Sequence, residues 1–515
     1  MGPADAGPPT AGAPGRKLAF QTALFSLLTG FSRVSGLVRE VVAAGYFGTS
    51  GAMSAFNVAF LLPNLVRSLF ADSALSAAFI PVFTELLEDG KRREAFRLAG
   101  AMFGLILAVL GTLTVLILVV APALVPLLTG SEFTPALDTL TTGLSQVMFP
   151  IVVLLGLNGL VVGVLNAHDH FSIPALAPVI WNLVIIVSLV ALQGLFEGND
   201  RIYAYAIGVL VGTVVQLLMS LAAFRSIGFS MRISFAWRDP RIRQILLLML
   251  PVTIGLGLIN FSMLINAILA SEVSEGAYAA INYAFRIYML PQGIFSVAVA
   301  TVLFPALSRL AARRDVDGLR AVLGTGTRQI ALLLIPATVA TLVLAEPMTR
   351  VVYERGEFGR ESTEMVTEAL FWFSLSLPFS GVNLLLTRTF FSLQRPWMPT
   401  ALAGLTLLVN AIVSYSLYER FGIAGIVFGT VVSSFAMTVG QAIALRRQLN
   451  GLELGRTLRA CGLMLTASLL LGLVAYGTWS GLDALLGRGL LAQVVSVGTG
   501  VLAGTAVYAA LLLAL

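Results

Sequence analysis

The chain has 515 residues, of which 57% are hydrophobic and only 11% are charged; its formal net charge is +6 and its mean hydropathy is +0.92. This composition excludes a soluble globular protein and is typical of a chain that lies in a bilayer. Apolar runs long enough to cross a membrane as helices recur along almost the whole sequence. We therefore predict an all-α polytopic membrane protein. The single cysteine, Cys461, excludes a disulfide within the chain.

About fourteen transmembrane helices are predicted, after a Pro-, Gly- and Ala-rich N-terminal tail that we expect to be disordered. The predicted spans are 17–45, 52–84, 97–128, 136–165, 172–196, 201–225, 242–271, 277–308, 322–346, 362–393, 397–418, 422–445, 458–480 and 490–514. They define a tail (1–16), an N-lobe with helices one to six (17–225), a cytoplasmic inter-lobe loop (226–241), a C-lobe with helices seven to twelve (242–446) and two C-terminal helices (447–515).

Basic residues concentrate in every second loop. They cluster at residues 16–17 and in four later segments: 91–97, 225–243, 309–320 and 446–459. Because basic loops stay on the cytoplasmic side, this pattern predicts that both termini are cytoplasmic, and an even number of spans agrees with it. The basic run at residues 91–93 is interpreted as a topology signal, so no nucleic-acid partner is predicted.

The first twelve spans form an internal repeat, because several features recur in the same order about 225 residues later. The matching pairs are Pro63 and Pro291, Pro81 and Pro305, Glu132-Phe133 and Glu357-Phe358, Pro150 and Pro378, Asn158 and Asn383, and Pro174 and Pro399. Each copy contains six spans, so both copies insert the same way up, as parallel repeats. Two such lobes around a central site predict a transporter that rocks between inward and outward openings.

Four arginines lie inside predicted spans: Arg33, Arg39, Arg67 and Arg286. Each would cost roughly 2.5–3.5 kcal/mol at the centre of a lipid-exposed helix. The four together would cost about 10–14 kcal/mol, which equals the whole stability of an ordinary domain. We therefore predict that they face a hydrated central cavity and bind an anion. Planar guanidinium groups suit phosphate or carboxylate, which they bind through paired hydrogen bonds.

Other polar residues accompany these arginines and are predicted to belong to the same substrate site. They are Glu40, Asn64, Asp72 and Asn282. Glu40 shares a helical face with Arg33, and Asn282 lies one turn before Arg286. The alternative is structural: Arg39 with Glu40, and Arg67 with Asp72, would form ion pairs, or some arginines would reach the head-group region.

Several segments of the sequence are similar to those of one transporter family. They are FSRVSGLVREVVAAGYFG (31–48), AFNVAFLLPNLVRSLFADSALSAAFIPVF (55–83), LNAHDHFSIPALAPVIWN (165–182), YAFRIYMLPQGIFSVAVATVLFPALS (283–308), YERGEFG (353–359) and TRTFFSLQRPWMP (387–399). These segments resemble the MurJ/MviN family of bacterial lipid II flippases, which is part of the multidrug/oligosaccharidyl-lipid/polysaccharide exporter superfamily. The resemblance covers roughly residues 18–450 and is most specific in the first eighty residues.

The resemblance implies a function in peptidoglycan biosynthesis. Its expected substrate is lipid II, an undecaprenyl-diphosphate-linked disaccharide pentapeptide, which moves from the cytoplasmic to the outer leaflet of the bacterial cytoplasmic membrane by alternating access. The four arginines are then expected to contact its diphosphate and head group. The implied partners are membrane lipids and the cell-wall synthesis machinery, and we expect a functional monomer.

The sequence departs from the family pattern at several positions near the arginines. Ser54 occupies a position that is usually aspartate, and Ser68 one that is often arginine. Asp72 falls where a glutamate is usual, and Ser73 replaces a common glycine. The two serines at 54 and 68 are therefore expected to remove one acid and one base from the cavity.

No cofactor is predicted, and the energy source is left open between the membrane potential and a monovalent cation. The resemblance implies a candidate ion site at Asn383 and Thr387, although no carboxylate stands beside them. The segment His168-Asp169-His170 is interpreted as a solvated loop because it lacks a third metal ligand. The absence of a GxxxxGK[ST] segment argues against direct use of ATP.

Two other functions deserve comparison with a flippase. A cation-coupled multidrug or polysaccharide-lipid exporter of the same superfamily would share the two lobes, but its cavity should favour acidic and aromatic residues. A membrane glycosyltransferase acting on polyprenyl phosphate would need acidic catalytic residues in a substantial loop. The predicted non-cytoplasmic loops are short and contain no paired aspartates. We therefore predict a flippase and not an enzyme.

Overall fold

The computed structural model describes residues 13–70, 73–168, 170, 172–228, 233–234 and 239–514. Within these ranges there is no β-strand, and the predicted all-α class is confirmed. The α-helices of the described chain are α1 (Ala13–Phe47), α2 (Gly51–Phe70), α3 (Ser73–Glu88), α4 (Arg92–Leu124), α5 (Pro135–Met148), α6 (Ile151–Ala167), α7 (Ser172–Leu192), α8 (Tyr203–Ala222), α9 (Pro240–Ser271), α10 (Ala277–Pro291), α11 (Val297–Ala312), α12 (Val316–Val343), α13 (Ala345–Tyr353), α14 (Arg360–Ser374), α15 (Leu377–Ser392), α16 (Trp397–Gln448), α17 (Leu454–Leu486) and α18 (Leu490–Ala514).

These helices agree with a polytopic membrane protein. In the described ranges, nine helical segments are long and apolar enough to cross a membrane, and ten if α14 and α15 form one span bent by 48°. Every predicted span contains at least one helix. The count of fourteen stays a prediction. At the N-terminus, α1 begins at Ala13, inside the predicted tail, and residues 1–12 lie outside the described part of the chain.

Proline and glycine explain where the long helices are interrupted. Pro150 separates α5 from α6, and a π-helical turn over Gln292–Ser296 follows Pro291 and joins α10 to α11. In α16, Gly422 has non-helical torsion angles (φ 55°, ψ −131°), so two helical segments meet there. These segments correspond to the two predicted spans 397–418 and 422–445.

The interruptions recur in both copies of the predicted repeat. Pro63 and Pro291 both lie inside helices, and Pro81 and Pro305 lie inside the helices that follow them. The division between α5 and α6 has its counterpart in the bend between α14 and α15. The sequence repeat is therefore also a repeat of helix breaks.

The chain divides into two compact units. Unit 1 contains residues 1–42, 62–121 and 142–256, and unit 2 contains residues 43–61, 122–141 and 257–515. Several helices contribute to both units, since the divisions fall inside α1, α2, α4, α5 and α9. The predicted lobe boundaries at 17–225 and 242–446 stay a prediction.

Each unit has its own apolar core. In unit 1 the core is centred on Phe79, Phe83, Leu98, Met102 and Val161, which come from α3, α4 and α6. In unit 2 one core surrounds α12 and α15, and a second joins α17 and α18 to α12. The hydroxyl of Tyr508 on α18 donates to the carbonyl oxygen of Leu332 on α12 at 2.9 Å. The two C-terminal helices are thus packed against the rest of unit 2.

The sequence analysis did not predict the short helix α13. Its nine residues carry Arg350, whose side chain is only 9% exposed and forms ion pairs with Glu346 and Glu354. A further ion pair, at 3.8 Å, joins Arg350 to Asp483 on α17. A single arginine thereby anchors α13 to the C-terminal helix pair. Nine residues are too few for a hydropathy pattern to identify such a helix.

Candidate functional site

In unit 1, the two arginines of α1 have different environments. Arg33 is exposed, whereas the side chains of Arg39 and Glu40 are only 11% and 10% exposed and form an ion pair with each other. The guanidinium carbon of Arg39 also lies 4.9 Å from the ring centroid of Trp181 on α7, within range of a cation–π interaction. The charge of Arg39 is therefore compensated within unit 1, whereas Arg33 is accessible to a ligand.

Asn182 fixes the position of α1 in this region. Its Nδ2 atom donates to the carbonyl oxygen of Pro178 at 3.0 Å, to Ser35 Oγ at 3.3 Å and to the carbonyl oxygen of Ser32 at 3.4 Å. A Cβ atom at Gly36 would lie 3.7 Å from the same nitrogen, so α1 and α7 approach closely. These contacts orient the helical turn that carries Arg33.

The predicted site residues of α2 belong to the same unit. Asn64 is half-buried on α2, one turn before Arg67. Arg67 lies on the described backbone of this helix, but its side chain and that of Ser68 are outside the described part of the structure, as is Asp72. The predicted pairing of Arg67 with Asp72 therefore stays a prediction.

In unit 2, α10 carries Asn282 and Arg286. Asn282 is half-buried, and its Nδ2 atom donates to the carbonyl oxygen of Tyr278 at 2.9 Å in the preceding turn. Arg286 is exposed one turn further along the helix. Among the predicted arginines whose side chains the structure describes, Arg33 is exposed in unit 1 and Arg286 in unit 2.

The candidate ion site at Asn383 and Thr387 stays a prediction, and both side chains make hydrogen bonds within unit 2. Asn383 Oδ1 accepts a hydrogen bond from Thr438 at 2.8 Å, and Thr387 Oγ1 accepts one from Gln441 at 2.8 Å. Both side chains thus join α15 to α16 through neutral hydrogen bonds. Within the described residues there is no group of three or more His, Cys, Asp or Glu side chains that could hold a metal ion. Hard cations favour anionic oxygen ligands, which this pair lacks.

Ser54, which was expected to remove an acid from the cavity, has a fully buried side chain inside unit 2. Its Oγ atom accepts a hydrogen bond from the backbone N–H of Ala279, near the start of α10, at 3.1 Å. The serine therefore caps a helix end, and its effect on the charge of the cavity stays a prediction.

A buried seam surrounds Ser54 in unit 2. Thr49 Oγ1 donates to Ser362 Oγ at 2.8 Å, and the backbone N–H of Glu357 donates to the carbonyl oxygen of Gly45 at 2.9 Å. A Cβ atom at Gly48 would lie 2.7 Å from the carbonyl oxygen of Glu357. Glycine thus permits backbone segments to touch where larger residues would separate them.

Sequence reasoning missed a cavity in unit 2. The cavity has a volume of about 330 Å³ and its lining includes Asn266, Asn282 and Asn410. The sequence carried a signal for this cavity, since asparagine is uncommon inside apolar spans. Of these three asparagines, however, only Asn282 was predicted to belong to a substrate site. Trp181 and Tyr205, which adjoin Arg39 in unit 1, were also missed because they come from α7 and α8.

Comparison with known proteins assigns the fold to a class of membrane transporters. A solved structure described as lipid II flippase MurJ in an inward closed conformation matches 95% of this chain and 98% of its own, with a TM-score of 0.79 and 23% identity. An inward-facing multidrug resistance MATE family transporter of the MOP superfamily matches 81% of this chain and 94% of its own, with a TM-score of 0.69 and 16% identity. The chain therefore shares the helical fold of these two solved structures.

Sequence comparison identifies the family within that class. The family model described as Lipid II flippase MurJ matches residues 43–494. A probable lipid II flippase MurJ from Rhizobium tropici is 31% identical over 484 residues, which cover 93% of this chain and 90% of that protein. A lipid II flippase MurJ from Burkholderia cenocepacia is 31% identical over 429 residues, 82% of each chain. The chain belongs to the lipid II flippase MurJ family, as the sequence analysis predicted.

Proposed function

We propose that this protein moves lipid II from the cytoplasmic to the outer leaflet of the bacterial cytoplasmic membrane. The observation that carries the proposal is family membership over residues 43–494, together with an exposed arginine in each unit, Arg33 and Arg286. Arginine is always charged and binds phosphate oxygens in pairs, so it suits a diphosphate. A cation-coupled drug exporter would be expected to have acidic residues in its cavity, whereas Arg33 and Arg286 are basic.

The diphosphate must lose its hydration in order to cross the membrane. The free energy of moving a charged group from water into hydrocarbon is prohibitive, so fixed cations must replace the lost hydration while the polyprenyl chain stays in lipid. Within unit 1, Arg33 is proposed to contact phosphate oxygens with the help of Arg67 and Asn64. Within unit 2, Arg286 is proposed to do so with the help of Asn282. The substrate is moved without chemical change, so the protein acts as a transporter and not as an enzyme.

Arg39 and Glu40 support the site indirectly. Because Arg39 is paired with Glu40 and lies against Trp181, it holds α1 in the orientation that exposes Arg33. On α1, Arg33 is therefore proposed to bind the substrate and Arg39 to position the helix. Asp72 is proposed to balance the charge of Arg67, since a lone arginine at membrane depth is costly.

The proposed transport cycle is alternating access driven by the membrane potential. An elementary charge that crosses 100 mV changes in free energy by about 2.3 kcal/mol, so moving a charged head group couples directly to the potential. Neutral hydrogen bonds occupy Asn383 and Thr387, which argues against a cation bound there. The protein is proposed to act as a monomer with both termini in the cytoplasm, beside the cell-wall synthesis machinery and membrane lipids.

Complementation of a flippase-depleted bacterium tests the proposed function. We expect Arg33→Ala and Arg286→Ala to abolish growth although the protein accumulates normally in the membrane. Arg360→Ala is the matched control, because the Arg360 side chain is 87% exposed and pairs only with its neighbour Glu364 among the described residues. Growth of both site variants at the wild-type rate would refute the proposed function.

A further inference from the structure

The cavity in unit 2 lies between five helices, and among its lining residues only Asn282 has a role in the function proposed above. Its walls come from α9, α10, α14, α15 and α16. The lining includes the polar residues Asn266, Asn282, Asn383 and Asn410 and the aromatic residues Phe285 and Phe373. None of the described lining residues has a charged side chain. Of the twelve asparagines in the sequence, four line this one cavity.

Hydrogen bonds hold several of the lining amides in place. Asn410 Oδ1 accepts from Ser262 Oγ at 3.2 Å, and Asn410 Nδ2 donates to Thr430 Oγ1 at 3.4 Å. Asn266 differs, because its Oδ1 atom is buried and has no hydrogen-bond partner among the described residues. A buried acceptor without a donor is unfavourable, so this oxygen is available to an N–H or O–H group of a ligand.

The chemistry of the lining excludes several classes of ligand. An anion would find no cationic side chain among the described lining residues, and a hard cation would find no carboxylate there. An acyl chain would leave the buried Asn266 Oδ1 atom without a hydrogen-bond donor. Tyr278, Phe285 and Phe373 add apolar ring surface beside the amides. A sugar suits this combination, because it carries hydroxyl groups around a ring whose faces are apolar, and about 330 Å³ lies in the range of small-ligand sites.

The cavity lies one helical turn from Arg286 along α10. Asn282 lines the cavity, and Arg286 follows it by four residues on the same helix, a rise of about 6 Å. That distance is comparable to the length of one sugar ring. We propose that the cavity binds an uncharged sugar unit of the lipid-linked substrate, with the adjoining diphosphate at Arg286 and the sugar donating a hydrogen bond to Asn266 Oδ1. This inference rests on the proposed function and adds a second recognition element to it.

Binding of two probes to the purified full-length protein in lipid nanodiscs tests the sugar site. The probes are undecaprenyl diphosphate, which has no sugar, and undecaprenyl diphosphate linked to the disaccharide of the proposed substrate. We expect wild type to bind the disaccharide-bearing probe more tightly. Asn266→Leu keeps the side-chain volume but removes the hydrogen-bond acceptor. It should weaken binding of the disaccharide-bearing probe about five- to tenfold and leave binding of the sugar-free probe unchanged.

Two further variants make the result decisive. Asn158→Leu is the matched control, because Asn158 Oδ1 is also buried with no partner among the described residues but lies on α6 in unit 1, outside the cavity. Ala403→Phe fills the cavity while leaving Asn266 in place, and it decides the question if Asn266→Leu does not fold. It should also reduce binding of the disaccharide-bearing probe alone.

The outcomes separate the two proposals. If wild type does not distinguish the probes, or if Asn266→Leu and Ala403→Phe bind both probes as wild type does, the sugar site is refuted while the diphosphate function stands. If either variant weakens both probes equally, its effect is structural and the sugar site is also refuted. If the sugar-free probe does not bind, or binds Arg286→Ala as well as wild type, the proposed function itself fails.

Discussion

At the scale of single residues, the main finding is that arginines with similar sequence settings have different environments. The sequence predicted one common role for Arg33, Arg39, Arg67 and Arg286, because an arginine in an apolar span is costly wherever it lies. Arg33 and Arg286 are exposed, whereas Arg39 is compensated by Glu40 and Trp181. The structural ion pair weighed as an alternative is present for Arg39. Its aromatic partner comes from α7, which no local pattern around Arg39 could reveal.

The pair of Arg39 and Glu40 yields a stability prediction. Glu40→Gln would leave a charged guanidinium nearly buried without its anionic partner, and we expect a loss of about 3 kcal/mol in the free energy of unfolding. Chemical unfolding of the detergent-solubilised protein, followed by tryptophan fluorescence, measures this loss. In the control, Glu364→Gln removes the partner of the exposed Arg360 and should cost less than about 1 kcal/mol. Equal effects of the two substitutions would contradict the assigned role of Glu40.

At the scale of helices, the structure shows how interruptions position functional groups. Every predicted span contains a helix, because hydropathy over twenty residues is a strong signal. The bend of 48° between α14 and α15 and the π-helical turn after Pro291 were not predicted in detail. Proline indicates that a helix can be interrupted but not the form of the break, which depends on the neighbouring helices.

Glycine contacts within unit 2 yield a prediction about helix approach. A Cβ atom at Gly276, just before α10, would overlap the carbonyl oxygen of Thr49. We expect Gly276→Ala to lower the free energy of unfolding by about 1–3 kcal/mol, because the backbone segments would have to separate. A thermal unfolding scan in detergent should show a reduced melting temperature.

The control for this prediction is a glycine with free space around it. Gly462 lies on α17, and a Cβ atom there would meet nothing within 4 Å. Gly462→Ala should leave the melting temperature unchanged or raise it slightly, because alanine favours a helix by roughly 0.8–1 kcal/mol over glycine. A loss of stability at Gly462 as large as that at Gly276 would show that steric overlap with Thr49 is not the cause.

At the scale of the whole molecule, the repeat, the helical class and the family agree. The two copies of the repeat have matching helix breaks, and the family match covers residues 43–494. The two compact units do not follow the repeat, because residues 43–61 and 122–141 of the first copy belong to unit 2. Tertiary packing thus groups segments that the sequence order separates.

Membrane topology is the prediction that belongs to this scale. Because basic residues accumulate in alternate loops, we expect green fluorescent protein to be fluorescent when fused to either terminus, as it is only in the cytoplasm. Alkaline phosphatase inserted after Gly359, in the loop before α14, should be active because this loop is predicted to be outside. Active phosphatase at either terminus would contradict the predicted orientation.

The sequence by itself determined the membrane class, the helix positions, the repeat and the family, because these depend on hydropathy, proline spacing and local motifs along the chain. It also marked the arginines as anomalies in an apolar chain. Only the tertiary structure decided which of them are buried against partners and which are exposed. Arg39 meets Trp181 from α7, Ser54 meets Ala279 from α10, and Asn266 joins side chains of four other helices around a cavity. Such partners lie far apart in the chain, so packing alone brings them together.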